Sequence, residues 1–478
     1  MDRNGLKLNR GVKASAIYTV SSFITKGVNI ITLPIFTRIM TTEQIGIVTT
    51  YNSWVSILNV FACLGLTTGS FSIAMHELKD TRNEYESSIL TLTSMTAIVI
   101  SVIYAAAYAK INRLLGLPWL LVVLMLIGFL LHPATDFWMA RERFEYKYKL
   151  SAFISVFSAI MSSCLAIVVT LLCRRFNNSE VAIYRLYATY FVYDMVAIAL
   201  YIYIMKEGRV FCNFRYWKYG VKLSIPLMIH ALAKHILDVS DKIMIQRLCG
   251  NSSAGIYGTL YSLSSLSLIL WTAINVSLVP YMFSSLDNKA TSKEKINGVI
   301  LPVLAIYGVF ATLLALISPE IVKIIATKEY YEAIYMMPPV AAGIYFISLY
   351  SIMGNILLYH KKTSYIMFAT IFAAALNVGL NYVFILKFGY MAAAYTTLFC
   401  NVILAAGQYL LAKKVHGELP FDEKKVCMLS MVVTAAVLLC NLLYSYNVIR
   451  YAIAGLIVLF VIQQRKKWRK YLKRFAER

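Results

Sequence analysis

Along this chain apolar residues come in unbroken runs of about 20 residues, separated by short polar segments. Such a run is long enough for an α-helix to cross the hydrocarbon core of a bilayer. The alternation of polar and apolar positions that a β-barrel needs is absent. The runs predict fourteen spans, at about 14–37, 46–75, 87–109, 117–140, 148–173, 181–206, 220–247, 253–286, 296–318, 333–359, 364–387, 390–413, 426–446 and 448–464. The connecting segments are short, so no soluble domain is expected between spans. The first run follows a basic N-terminus and carries no small-residue cleavage site, so it reads as a retained span.

Composition agrees. Of 478 residues, 59% are hydrophobic and 14% charged, against roughly a quarter charged in soluble domains. A disordered chain, a disulfide-framed secreted domain and an ordinary cytosolic enzyme are excluded. The net charge of +23 would suggest nucleic acid in a soluble protein. Here its distribution says otherwise. Of the 46 Lys and Arg, 32 fall on the side that carries both termini, 10 on the opposite side and 4 within spans. Basic residues mark the cytoplasmic face. The expectation is a multi-pass inner-membrane protein with both termini cytoplasmic and no nucleic-acid partner. The tail from Arg465 carries Trp468, Tyr471, Leu472 and Phe475 at i, i+3, i+4 and i+7, an amphipathic basic helix suited to anionic phospholipid.

An internal repeat runs at an offset of 209 residues. Arg38, Gly46, Ile47, Thr50, Ser53 and Ser56 recur as Arg247, Gly255, Ile256, Thr259, Ser262 and Ser265. Six spans separate the copies, and an even number preserves orientation, so the repeats are parallel about an axis along the membrane normal. The expected organisation is an N-terminal six-helix bundle (1–215), a C-terminal six-helix bundle (216–420), and two further helices with a basic tail (421–478).

Ionisable groups inside a bilayer cost about 2.5–3.5 kcal/mol each on insertion scales and are functional candidates. The seventh span holds His230, Lys234, His235, Asp238, Asp241 and Lys242, all within one arc of about 140° on a helical projection. Lys234–Asp238 and Asp238–Lys242 are spaced to pair along the helix. Lys26 lies on a polar stripe of the first span and maps onto His235 under the repeat. His132 and Asp136 are one turn apart in the fourth span and could share a proton; Asp194 is mid-span in the sixth. His235, Asp238, Asp241, Asp136 and Asp194 are therefore the candidates for proton or sodium coupling. Phosphate-binding, serine-hydrolase and zinc-protease motifs are absent, the eight cysteines form no CxxC pair, and no metal or cofactor is expected.

Two stretches carry a family resemblance: LPIFTRIMTTEQIGIVTTY (33–51) and SDKIMIQRLCGNSSAGIYGTLYSLSSL (240–266). They resemble the span 1–2 and span 7–8 signatures of the polysaccharide transporter family, within the superfamily of multidrug, oligosaccharidyl-lipid and polysaccharide exporters. The likeness runs over roughly 10–415 and is greatest to O-antigen and capsule repeat-unit flippases of the Wzx type. The resemblance implies an all-α polytopic membrane protein with two parallel six-helix bundles around a cationic cavity, and alternating access. The implied cargo is an undecaprenyl-diphosphate-linked oligosaccharide. Carried over residue by residue, substrate binding falls on Lys26, Lys234 and Lys242, with Arg141 and Arg143 at the cytoplasmic mouth. Polysaccharide polymerase and chain-length proteins are implied partners of a functional monomer. The alternatives are a cation-coupled multidrug extruder or lipid II flippase of the same superfamily, and, from another class, a membrane sugar polymerase or transferase.

Overall fold

The computed structural model describes residues 3–67, 70–287 and 289–464; the expected amphipathic helix of the tail lies outside them. All regular elements among the described residues are helical. The chain forms two compact units, Met1–Gly255 and Ile256–Arg478.

The first unit holds α1 (Arg3–Ile39), α2 (Thr42–Ala62), α3 (Ser70–Glu77), α4 (Arg82–Ala106), α5 (Tyr108–Leu115), α6 (Trp119–Phe144), α7 (Tyr148–Arg175), α8 (Val181–Gly208), α9 (Phe214–Cys249) and the opening turn of α10 (Asn251–Ser264). The second holds the rest of α10, α11 (Leu266–Leu286), α12 (Lys289–Leu316), α13 (Ser318–Ile325), a 3-10 helix (Lys328–Met336) running into α14 (Met337–Tyr359), α15 (Thr363–Phe388), α16 (Ala392–His416), α17 (Glu423–Leu439) and α18 (Asn447–Gln463).

Among the described residues, twelve helices are long and apolar enough to cross a membrane. The other two expected spans are α9 and α18; α9 is loaded with charge and α18 has only 17 residues. Two apolar runs that read as single spans are interrupted. The second breaks after α2, where Leu64 and Gly65 take left-handed φ values of 50° and 64°. A Cβ on Gly65 would lie 2.7 Å from the Cβ of Met228, so the turn needs glycine both for its dihedral and for its contact. The eighth breaks at Ser265, between α10 and α11.

The repeat is visible in the element bounds. Shifted by 209, α4 becomes 291–315 against α12 at 289–316. Shifted α5 becomes 317–324 against α13 at 318–325. Shifted α8 becomes 390–417 against α16 at 392–416. Each copy thus carries a long span followed by an eight-residue helix. Both short helices fall in segments that read as loops in the sequence.

Within the first unit, the repeated glycines meet. A Cβ on Gly46 would lie 1.8 Å from the carbonyl oxygen of Asn251, and one on Gly255 would lie 2.1 Å from that of Thr42. Thr42 Oγ1 and Ser252 Oγ are 2.8 Å apart. Thr42–Gly46 and Asn251–Gly255 are the same pentapeptide of the two copies, packed backbone to backbone as small residues permit. α9 also packs along α2, which builds the first helix of the second copy into the first unit.

Candidate functional site

α9 starts where the Asn213 side chain accepts hydrogen bonds from the backbone N–H groups of Arg215 (3.0 Å) and Tyr216 (3.3 Å). It ends at Gly250, whose φ is 89°. Between these caps its polar face is not uniform. Lys234 Nζ donates to Asp238 Oδ2 at 2.7 Å, with the two side chains 53% and 37% exposed. Lys242 Nζ reaches the Asp238 carbonyl oxygen at 3.5 Å. Asp241, on the same arc, is 1% exposed and accepts the Lys242 backbone N–H at 2.8 Å. His230 and His235 are half-buried. The arc therefore has a solvent-accessible portion around Lys234 and Asp238 and an interior portion at Asp241.

Lys26 is exposed on α1 and makes no ion pair among the described residues. Nearby on the same helix, Tyr18 shares a 2.8 Å hydrogen bond with Ser151 of α7.

A second feature is a cavity of about 620 Å³ inside the first unit, bounded by α1, α2, α6 and α8. Its polar lining includes Asn29, Asn52, Asn59, His132, Asp136 and Arg185, and its aromatic lining includes Tyr51, Tyr190 and Tyr193. His132 does not pair with Asp136, the neighbour one turn on. Its Nε2 lies 2.9 Å from Asp194 Oδ1 of α8. The imidazole stacks on Tyr190 of α8, centroids 5.7 Å apart and planes 18° apart. Asp194 is buried at 9% exposure. Asp136 opens to the cavity and accepts no hydrogen bond among the described residues. Arg185 closes another part of the lining, its guanidinium carbon 3.6 Å from the Phe36 ring centre.

Arg141 and Arg143, at the C-terminal end of α6, have different environments. Arg141 donates from Nη1 to Glu86 Oε2 of α4 at 2.7 Å and from Nε to Glu145 at 3.2 Å. Glu86 is 1% exposed. Lys147 Nζ adds a 2.6 Å bond to Glu145, and Arg82 approaches it at 3.8 Å. Partial burial pushes the Glu145 carboxyl up, but the bonds from Lys147 and Arg141 outweigh it and hold the group below its ordinary value. Arg143 is exposed and, among the described residues, its side chain bonds only to the Met139 carbonyl oxygen, at 3.1 Å. Arg141 thus ties α6 to α4, whereas Arg143 faces outward.

The second unit holds a buried cation that local sequence pattern does not single out. Arg450 of α18 is 1% exposed and donates to Glu320 Oε1 of α13 at 2.5 Å, to Asn447 Oδ1 at 2.7 Å and to the Leu316 carbonyl oxygen at 3.2 Å. Tyr451 also donates to Glu320, at 2.6 Å. Its one signal was position, since Arg450 stands just inside an apolar run. α15 and α16 are joined by a further polar network in which Asn381 donates to Asn377 at 3.1 Å and Asn377 to Thr397 at 3.4 Å.

Long apolar helices, several of them bearing proline, define a multi-pass helical membrane fold. Solved structures share it. The lipid II flippase MurJ in an inward closed conformation aligns with a TM-score of 0.68 at 15% identity, covering 94% of this chain and 99% of its own. A multidrug resistance MATE family transporter of the MOP superfamily aligns in its inward-facing conformation with a TM-score of 0.62 at 13% identity, over 84% of this chain and 97% of its own. An outward-facing conformation of a MATE transporter gives 0.55 at 13% identity, over 85% and 94%. At these identities the likeness is one of fold. No curated protein matches the sequence. The sequence itself is more specific. Residues 12–286, more than half of the chain, match the family described as polysaccharide biosynthesis protein, and the chain belongs to that family.

Proposed function

We propose that the protein is a flippase that carries an undecaprenyl-diphosphate-linked oligosaccharide repeat unit from the cytoplasmic to the outer leaflet of the inner membrane, leaving its bonds unchanged. The observation that carries this is the accessible Lys234–Asp238 pair on the polar face of α9, with Lys26 presented on α1. A diphosphate is a dense anion, and an exposed ammonium paired with a half-exposed carboxylate can turn to phosphate oxygens at little cost. Family membership and fold support a lipid-linked sugar as cargo. In this scheme Lys26, Lys234 and Lys242 receive the diphosphate, Arg143 meets it at the cytoplasmic mouth, and alternating access moves it across. Asp238, His235 and the His132–Asp194 pair are the groups whose charge can follow a coupling ion.

The test is paired: membrane abundance, and restoration of surface polysaccharide in a strain lacking its flippase. Lys26→Ala and Lys234→Ala are expected to leave folded protein in the membrane and to abolish restoration. Normal polysaccharide from the Lys26→Ala/Lys234→Ala double variant removes these lysines from the mechanism. One observation favours a second reading, export of a cationic amphiphile: Asp136 has no hydrogen-bond partner among the described residues and lines a cavity shared with tyrosines. Under it, Asp136→Asn raises drug accumulation in cells and leaves surface polysaccharide unchanged.

A further inference from the structure

Between α4 and α8 the surface of the first unit carries a groove of about 590 Å³ whose exposed lining is mostly apolar, with Thr91, Ser94, Tyr201 and Lys206 as its polar members. Met95 and Ile98 form one wall and Ile202 the other; they are 47%, 54% and 48% exposed. The hydroxyls of the groove are satisfied: Ser94 Oγ and Tyr201 OH are 2.9 Å apart and Thr91 Oγ1 donates to the Ser87 carbonyl oxygen at 3.0 Å, so none is left to repel a hydrocarbon chain.

The end of this groove is built. Gly208 closes α8 against α4: a Cβ there would lie 2.2 Å from Ser87 Oγ and 2.3 Å from the Asn83 carbonyl oxygen. The chain then turns through Arg209 at a φ of 53°. Ser87 Oγ donates to the Val210 carbonyl oxygen at 2.9 Å, and the Asn213 N–H donates to Ser88 Oγ at 3.1 Å. Trp217 Nε1 donates to the Ser88 carbonyl oxygen at 2.8 Å. These bonds strap residues 210–217 to the start of α4 and fix Phe211 as the lip of the groove. Phe211 is 60% exposed, and with Phe214 and Trp217 it makes the aromatic edge typical of a membrane–water interface. At the same end stand two cations. Lys206 lines the groove, and Arg209 Nε donates to the Lys206 carbonyl oxygen at 3.2 Å. Neither forms an ion pair among the described residues.

We infer that this groove is a binding site for an anionic phospholipid of the inner leaflet. One acyl chain lies between α4 and α8, and the phosphate sits between the Lys206 ammonium and the Arg209 guanidinium. Charge complementarity selects the occupant. An apolar channel alone accepts any lipid, but two unpaired cations beside its interfacial end favour a net negative headgroup over a zwitterionic one. The leaflet follows from the charge asymmetry of the loops, which puts this end of α8 on the cytoplasmic side.

The experiment uses the full chain purified in mild detergent, with phosphatidylglycerol, phosphatidylcholine and undecaprenyl phosphate added separately. Bound lipid is counted by native mass spectrometry, and melting temperature is followed alongside. Phosphatidylglycerol is expected to bind and to raise the melting temperature, with phosphatidylcholine much weaker. Lys206→Ala and Arg209→Ala should each lower phosphatidylglycerol occupancy about fivefold, the factor that about 1 kcal/mol per basic residue represents. Ile98→Trp fills the groove and keeps both charges; it should lower occupancy of every lipid while the lipid-free melting temperature stays put. Equal binding of phosphatidylglycerol and phosphatidylcholine, or undiminished phosphatidylglycerol binding by Lys206→Ala/Arg209→Ala, overturns the site. Selective retention of undecaprenyl phosphate over phosphatidylglycerol overturns the choice of occupant. All of these readouts are independent of sugar transport.

Discussion

The Gly46–Asn251 crossing gives a prediction whose sign runs against helix propensity. In an open helix, Gly→Ala stabilises by about 1 kcal/mol. At position 46 the new Cβ would sit 1.8 Å from a carbonyl oxygen, and real Cβ atoms are not found within 3.0 Å. α2 and α10 must then separate by more than about 1 Å, and the obstacle is backbone on both sides, so no rotamer relieves it. Overpacking of this kind costs about 1–3 kcal/mol. Separation also weakens the Thr42–Ser252 hydrogen bond, worth about 1 kcal/mol. The net expectation for Gly46→Ala, and for Gly255→Ala, is a loss of about 1–3 kcal/mol. Gly379→Ala is the control, because a Cβ there meets nothing within 4 Å; it should be neutral or slightly stabilising. The assay is thermal unfolding in detergent beside membrane abundance. The double Gly46→Ala/Gly255→Ala variant should fall short of the sum of the singles, since both act on one crossing. Gly46→Ala melting with or above Gly379→Ala would refute the reasoning.

Further outcomes are expected elsewhere. Arg450→Met should lower membrane abundance, because it removes the buried cation that joins α18 to α13; the loss is about 3 kcal/mol, and Arg450→Met/Glu320→Leu should recover part of it. Arg141→Gln should destabilise by orphaning the carboxylate of Glu86, and Glu86→Gln/Arg141→Gln should restore abundance; a role for Arg141 in cargo binding predicts instead that the double variant is abundant but silent in polysaccharide restoration. Asp194→Asn keeps a hydrogen-bond partner for His132 and should leave protein level unchanged; a role for this carboxylate in coupling predicts that surface-polysaccharide restoration is lost all the same. Glu145 is held below its ordinary value, so its contribution is full above the unfolded pKa of about 4.3 and is lost as pH falls through the folded value. The melting difference between wild type and Glu145→Gln should be constant near neutrality and vanish in acid.

Twelve of the fourteen expected spans and the repeated order of elements were legible because each rests on local pattern: apolar run length, and identity at a fixed offset. The breaks at Gly65 and Ser265 were not, since both lie inside apolar runs and are set by backbone dihedrals and by contact with Met228. α5 and α13 were missed for a different reason: both are strongly amphipathic, but at eight residues each they fall far short of the apolar run length by which the spans are recognised. Among the charged groups, the Lys234–Asp238 pair follows from spacing along one helix. The His132–Asp194 and Arg141–Glu86 pairs join different helices across 62 and 55 residues of sequence, and nothing local distinguishes them from the alternatives. His132 shows this best, because the neighbour one turn away was available and the partner it takes lies on another helix.

The placement of α9 has a consequence for how the protein is made and how it could have evolved. By descent α9 opens the second copy, yet it completes the first unit by packing on α2. A ribosome that has delivered only the first six-helix copy has inserted a body with the groove around Gly46 uncovered, and assembly there must wait until residue 255 has entered the bilayer. A nascent chain arrested after α8 should therefore be cleared by membrane proteases faster than one arrested after Gly255, although it is shorter by one span. The same exchange makes the duplication hard to undo. Two genes cut at the repeat boundary would each encode an incomplete body, so once α9 had crossed over, the ancestral copies were bound to remain a single polypeptide.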